Sequence, residues 1–414
     1  MNKKTFEKIS RRDAETQRKK EKNNLFSAPL RLCVNYSRYC LLFALFVFIF
    51  SCEMPKSGLP SSSPYDPDLD GWQAASWSPF TVNDTITDFS YGGSRYAAVS
   101  STGVIAWSDN GDVWNRAQRI VTCNICGEII TIRLDAVNYT CTNLYCENNE
   151  ENEDFNKPVT ITEVFGFNAV CYGKNIFVAV GNNGVFARSK DGKKWEAAPM
   201  PGFAGNPGKN INGIAWGNGY FIAVGNDAAI SYSSGGDKWD VILNAGFSNN
   251  LNDITFDNEG GRFYVVGDGG VRGWSTTPSG PWNRGGPEHP FWSNNITKVT
   301  AGRYGSGTGI GIVYDRKTAI ATHKDFTNFD ADVDTFLFNG NAINGIAWGG
   351  GYFVSGGTSA MIGYWPSSEP SRDIERYWRA LTFPEFRFWE ISALKACNGR
   401  FFAGNAGGKI GYSK

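Results

Sequence analysis

Nine cysteines and two histidines limit the chemistry open to this chain. His289 sits in Gly-Pro-Glu-His-Pro and His323 at a strand end, so no His pair is set up to shuttle protons or hold a metal. Four cysteines cluster. Cys123-Asn124-Ile125-Cys126-Gly127 precedes an alternating stretch from Ile129 to Leu134, then come Cys141 and Cys146 and an acidic run from Glu147 to Asp154. Four thiolates can hold a structural zinc tetrahedrally. The same four can form two disulfides in any of three pairings, or stay as free thiols. A small unit with little core of its own needs such a staple. No Gly-rich phosphate loop follows a strand and opens a helix, and no Gly-x-Ser-x-Gly elbow has that context.

The chain's start bears on which state is favoured. Residues 1–51 hold 11 Lys+Arg and 4 Asp+Glu, which leaves 29 basic and 36 acidic residues from Cys52 onward. Such an acidic remainder suits no phosphate backbone, so nucleic acid is not an expected partner. The basic start ends in an apolar run over 41–50, too short to cross a bilayer but suited to the core of a signal peptide spanning 1–51. Ile49, Ser51 and Cys52 resemble a bacterial lipobox, with Phe50 bulkier than usual there. That resemblance implies diacylglycerol on the Cys52 thiol and a lipid-anchored protein of the bacterial cell envelope. Residues 52–69, rich in Pro and Ser, read as a flexible tether. Export favours disulfides among Cys123, Cys126, Cys141 and Cys146. Their spacing also resembles a zinc ribbon, although four residues separate the second pair where two are usual.

An internal repeat then organises the rest. Ile211-Asn212-Gly213-Ile214-Ala215-Trp216-Gly217 returns as Ile343-Asn344-Gly345-Ile346-Ala347-Trp348-Gly349. Seven units align on this pattern, ending near Ser108, Ser189, Ser233, Ser275, Thr322, Trp365 and Ser413. The steps between them are 81, 44, 42, 47, 43 and 48 residues. Four short strands occupy about 40–50 residues, so the expected fold is an all-β, seven-bladed β-propeller over 70–414. The long step is one blade plus the cysteine-rich insertion, 118–156. The last unit lacks a fourth strand, and Trp72 and Phe80 repeat the spacing of Trp195 with Phe203 and Trp239 with Phe247. The N-terminal strand should therefore complete the last blade and close the ring. Cys171 and Cys397 fall in non-adjacent blades and read as buried free thiols.

Three units carry a sharper signature. Ser108-Asp109-Asn110-Gly111 leads to Trp114, Ser189-Lys190-Asp191-Gly192 to Trp195, and Ser233-Ser234-Gly235-Gly236 to Trp239. These turns resemble the Asp-box of sialidase-type propellers and of exported propellers that include photosystem II assembly factors. The copies are one residue shorter than the usual box, and the units ending at Trp282, Phe329 and Trp378 have lost most of it. The resemblance implies side chains that bond the turn backbone and a Trp packed between blades. It also raises a sialidase-like, glycan-acting hydrolase as an alternative. No Arg-Ile-Pro motif opens the domain, and seven units exceed that family's six blades. A binding or scaffold domain for a protein or glycan partner is the main expectation. Connections between blades share one face around the central funnel. Trp292, Phe388 and Trp389 lie off the packing register there and are the candidate ligand face. The insertion leaves from such a connection and is expected to crown the same face.

Overall fold

The computed structural model describes residues 72–122, 129–133, 138–139, 159–160, 166–203, 209–285, 294–321, 329–333, 342–366, 379–382 and 390–413. All lie in the compact unit Ser51–Lys414. They form seven four-stranded antiparallel blades, with no α-helix among the described residues.

From the channel outward, blade 1 holds Ile86–Gly92, Arg95–Ser100, Ile105–Ser108 and Asn115–Arg116. Blade 2 holds Phe167–Gly173, Ile176–Gly181, Val185–Ser189 and Lys194–Pro199. Blade 3 comprises Ile211–Gly217, Tyr220–Gly225, Ile230–Ser233 and Asp240–Ile242. In blade 4 the strands are Leu251–Asp257, Arg262–Gly267, Arg272–Ser275 and Asn283–Arg284. Blade 5 runs through Ile296–Tyr304, Gly307–Tyr314, Lys317–Ala321 and Phe329–Val333. Blade 6 has Ile343–Gly349, Tyr352–Gly357, Met361–Pro366 and Arg379–Thr382. Blade 7 takes Ile391–Cys397, Arg400–Asn405 and Ile410–Tyr412, and its outer strand is Gln73–Ala74 from the chain's start.

The closure is thus the one the spacing predicts. Gln73 pairs with Tyr412 and Ala74 with Gly411. Trp72 and Phe80 are buried, the first among side chains of blades 6 and 7, the second among those of blades 7 and 1.

Second strands show why the ring needs all its members. In blades 1, 2, 3, 4, 6 and 7 the first residue of this strand is half-buried and the next five are buried. Period-two alternation disappears because blades stack face to face, so both faces of the strand are covered. Close approach is set by glycine at the end of inner strands. A Cβ on Gly92 would lie 2.0 Å from the Tyr172 ring, and one on Gly173 2.2 Å from Trp216. Each aromatic lies against the preceding blade.

The insertion departs from its expected place. Its described hairpin, Gln118–Thr122 and Ile129–Arg133, adds to the outer edge of blade 2 and makes a six-stranded sheet. Gln118 pairs in parallel with Lys194 and Arg119 with Trp195. An outer strand has one edge of free backbone groups, and this hairpin occupies it rather than rising over the channel. Asn138–Tyr139 pairs with Val159–Thr160 in a separate small sheet. Cys52, Cys123, Cys126, Cys141, Cys146, Trp292, Phe388 and Trp389 lie outside the described residues.

Candidate binding surface: the central channel

Each inner strand begins with the same irregularity. The register shifts at the second residue, so Thr87, Asn168, Asn212, Asn252, Thr297, Asn344 and Ser392 all occupy β-bulges. A bulge re-aims a side chain out of the sheet, here toward the next blade. Thr87 Oγ1 donates to the Phe167 carbonyl at 2.8 Å, and Asn168 Nδ2 to that of Ile211 at 2.9 Å. Asn212 reaches Leu251 at 2.8 Å, Asn252 reaches Ile296 at 3.0 Å, and Asn344 reaches Ile391 at 3.1 Å. Ser392 closes the circle on Ile86 at 2.6 Å. Among the described residues Thr297 bonds within its own blade, to Val313 at 3.3 Å. Sequence reasoning missed this ring. Its signal in the sequence is the Asn of the repeated Ile-Asn-Gly.

The next residue of each inner strand varies in kind. It is Asp88, Ala169, Gly213, Asp253, Lys298, Gly345 or Ala393 around blades 1 to 7. Ala169 and Ala393 pack into the cores between blades. Asp88 accepts from the amide of Phe89 at 2.9 Å and, across the blade boundary, from Val170 at 3.0 Å. Asp253 does the same with Ile254 and Val299, at 2.9 and 3.0 Å. Both carboxylates are therefore tied to backbone. Lys395, two places further along blade 7, puts Nζ 3.6 Å from Asp88 Oδ1 and remains 42% exposed. Burial opposes the Lys395 charge, but Asp88 and Asp253 outweigh it and raise its pKa. Burial pushes Asp253 up, opposed by Lys298 and Lys395. The inner strands thus bring together two lysines and two acids committed to backbone, with alanine or glycine at the other four places.

On the opposite rim the Ser/Asp/Gly turns sit at the third hairpin of blades 1, 2 and 3. Ser189 Oγ accepts from Gly192 at 2.8 Å, Asp191 Oδ1 accepts from Lys193 and Lys194 at 2.8 and 2.9 Å, and Trp195 Nε1 donates to the Gly192 carbonyl at 2.8 Å. Asn110 takes the acid's role in blade 1, at 2.9 and 3.0 Å, beside Ser108, Gly111 and Trp114. Ser233 keeps its bond to Gly236 at 2.8 Å. Trp114 packs on Phe402 of blade 7, and Trp239 on Phe186 of blade 2. Neighbouring blades reach into these turns. Arg400 donates to the Asn110 carbonyl, Arg95 to that of Asp191 and Lys174 to that of Ser234. A polar cleft of about 500 Å³ opens beside the blade 2 turn, where Arg188 donates to Glu196 at 2.9 Å and Ile120 of the insertion forms one wall.

No family model and no curated protein matches the chain. Solved structures match its fold. YCF48 from Cyanidioschyzon merolae is 13% identical, with a TM-score of 0.54 over 83% of this chain and 98% of its own. A structure of YCF48 bound to D1 peptide is 14% identical, with a TM-score of 0.56 over 85% and 98%. Virginiamycin B lyase from Staphylococcus aureus is 12% identical, with a TM-score of 0.56 over 83% and 99%. The chain has the fold of a β-propeller.

Proposed function

We propose that this chain is an envelope lipoprotein, anchored through acylated Cys52, whose propeller captures a protein partner at its channel face and performs no reaction. The commitment of Asp88 and Asp253 carries this reading. Each carboxylate accepts two backbone amides, whereas a hydrolase needs an acid free to protonate a leaving group. Lysine charge and small side chains on the same inner strands suit recognition instead. The YCF48 structure bound to D1 peptide supports a peptide or protein ligand for this kind of ring. Trp292, Phe388 and Trp389, on connections between blades, would add aromatic anchors, whose burial is favourable at little side-chain entropy. The Ser/Asp/Gly turns are structural in this reading.

Two measurements test it. Mass spectrometry of the native protein should find an acylated N-terminus at Cys52, absent in Cys52→Ala; any other native N-terminus removes the anchor. Trp292→Ala with Trp389→Ala should lower partner recovery at least fivefold with unfolding unchanged. Glycan turnover that disappears on changing Asp88 or Asp253 would replace capture by hydrolysis.

A further inference from the structure

The inner strands present a ring of backbone N–H groups to the channel. In a two-residue hairpin the closing pair is hydrogen-bonded, and bonded pairs alternate with unbonded ones along an antiparallel ladder. Gly92 closes with Arg95, Gly349 with Tyr352 and Cys397 with Arg400. Three places earlier, Phe89, Ile346 and Leu394 are therefore unbonded positions, with N–H groups pointing away from the second strand. The equivalent residues in blades 2, 3, 4 and 5 are Val170, Ile214, Ile254 and Val299.

Two of the chain's own carboxylates each take an adjacent pair of these donors. Asp88 holds Phe89 and Val170; Asp253 holds Ile254 and Val299. Ile346 and Leu394 form a third adjacent pair, in blades 6 and 7, and neither meets an acceptor among the described residues. The residue placed as Asp88 and Asp253 are is Gly345. A Cβ there would lie 3.0 Å from the Leu394 Cβ and 3.5 Å from its amide nitrogen, so a side chain from 345 would start beside that amide. Lys395 follows Leu394 directly. Lys298 holds the place of Gly345 in blade 5, next to blade 6.

We infer that the Ile346 and Leu394 amides, flanked by Lys298 and Lys395, bind a carboxylate supplied by a ligand, in the manner of the carboxylates of Asp88 and Asp253. Charge-assisted bonds to two fixed amides are short and directional, and a lysine within reach adds attraction in a partly desolvated channel. The ligand carboxylate belongs to a small acid or to a chain terminus. This deepens the capture reading by naming its chemistry, and it rests on that reading only for the identity of the natural partner.

A chain from residue 70 contains every strand of the ring, and its isoleucine and leucine amides can be labelled with nitrogen-15 and followed by NMR. N-acetyl-tetraalanine with a free carboxylate, the same peptide as its C-terminal amide, and succinate are the probes. The free peptide or succinate should move the Ile346 and Leu394 resonances downfield, and the amidated peptide should leave them in place. Whichever acid acts identifies the source. Gly345→Asp should weaken the response at least tenfold, because its own carboxylate takes the amides. Gly345→Ala, adding only the Cβ, should change affinity less than threefold. Lys298→Met should weaken it at least threefold. The inference is overturned if neither acid moves the two amides at tens of millimolar, or if Gly345→Asp responds like the parent. Failure here with intact partner recovery would discard the carboxylate site and leave capture standing.

Discussion

Asn110 and Asp191 do the same work with different charge. Each side-chain oxygen accepts two successive amides, at 2.9 and 3.0 Å in blade 1 and at 2.8 and 2.9 Å in blade 2. Burial would raise the Asp191 pKa, but those amides, Ser189 and Arg95 bring it below the ordinary carboxylate value. A carboxylate with a depressed folded pKa adds stability above its unfolded value and loses it as pH falls through the folded one. Asp191→Asn should therefore fold with the same turn, and the urea midpoint gap between it and the parent should shrink between pH 7 and pH 3. A gap independent of pH would show that the charge contributes nothing. The bulge ring makes a second comparison. Asn212→Ala removes bonds to Leu251 and Asn226 and should destabilise by about 1–3 kcal/mol. Thr297→Ala removes one bond within its own blade and should cost about 0.5–1.5 kcal/mol by the same denaturation. The turn residues were legible in sequence because Ser, Gly and Trp repeat by identity. The bulge residues were not, because Thr, Asn and Ser share only a short polar side chain, and the channel residues share nothing but position.

At the scale of elements, the repeat was legible in the second strands, since a strand covered on both faces must read as a continuous apolar run. Outer strands were not: Asn115–Arg116, Asp240–Ile242 and Asn283–Arg284 are short and largely exposed, and burial imposes no pattern on them. The same freedom misled the placement of the insertion. Its point of departure suggested the funnel, but edge pairing decides where a hairpin goes, and sequence does not reveal which edge is open. Addition to blade 2 gives Gln118–Thr122 and Ile129–Arg133 a sheet to rest on, and the state of Cys123, Cys126, Cys141 and Cys146 is a separate question. Metal analysis with thiol titration under denaturing conditions separates the disulfide and metal forms. Two disulfides, the form expected of a chain exported as proposed above, leave no metal and no free thiol among the four. About one zinc per chain, with four reactive thiols after chelation, would establish the metal form instead.

Over the whole molecule, stability is a property of the closed ring. Each second strand is buried by the blade beside it, and the last blade has its outer edge only because Gln73–Ala74 returns to it. Trp72 and Phe80, buried on either side of that strand, lock it in place. Burying side chains of this size contributes about 1.5–3 kcal/mol each, against a net stability of about 5–15 kcal/mol for a folded domain. Removing residues 53–69 deletes none of the described strands and should leave the thermal midpoint within about 2 °C of the parent. Removing 53–82 takes away both aromatics and the closing strand. It also exposes the Ile410–Tyr412 edge, a template for pairing with another chain. That protein should unfold at least 15 °C lower or aggregate during expression, as read by calorimetry and light scattering. Equal behaviour of the two truncations would mean that the ring is held by stacking between inner strands alone, with the N-terminal strand a passenger.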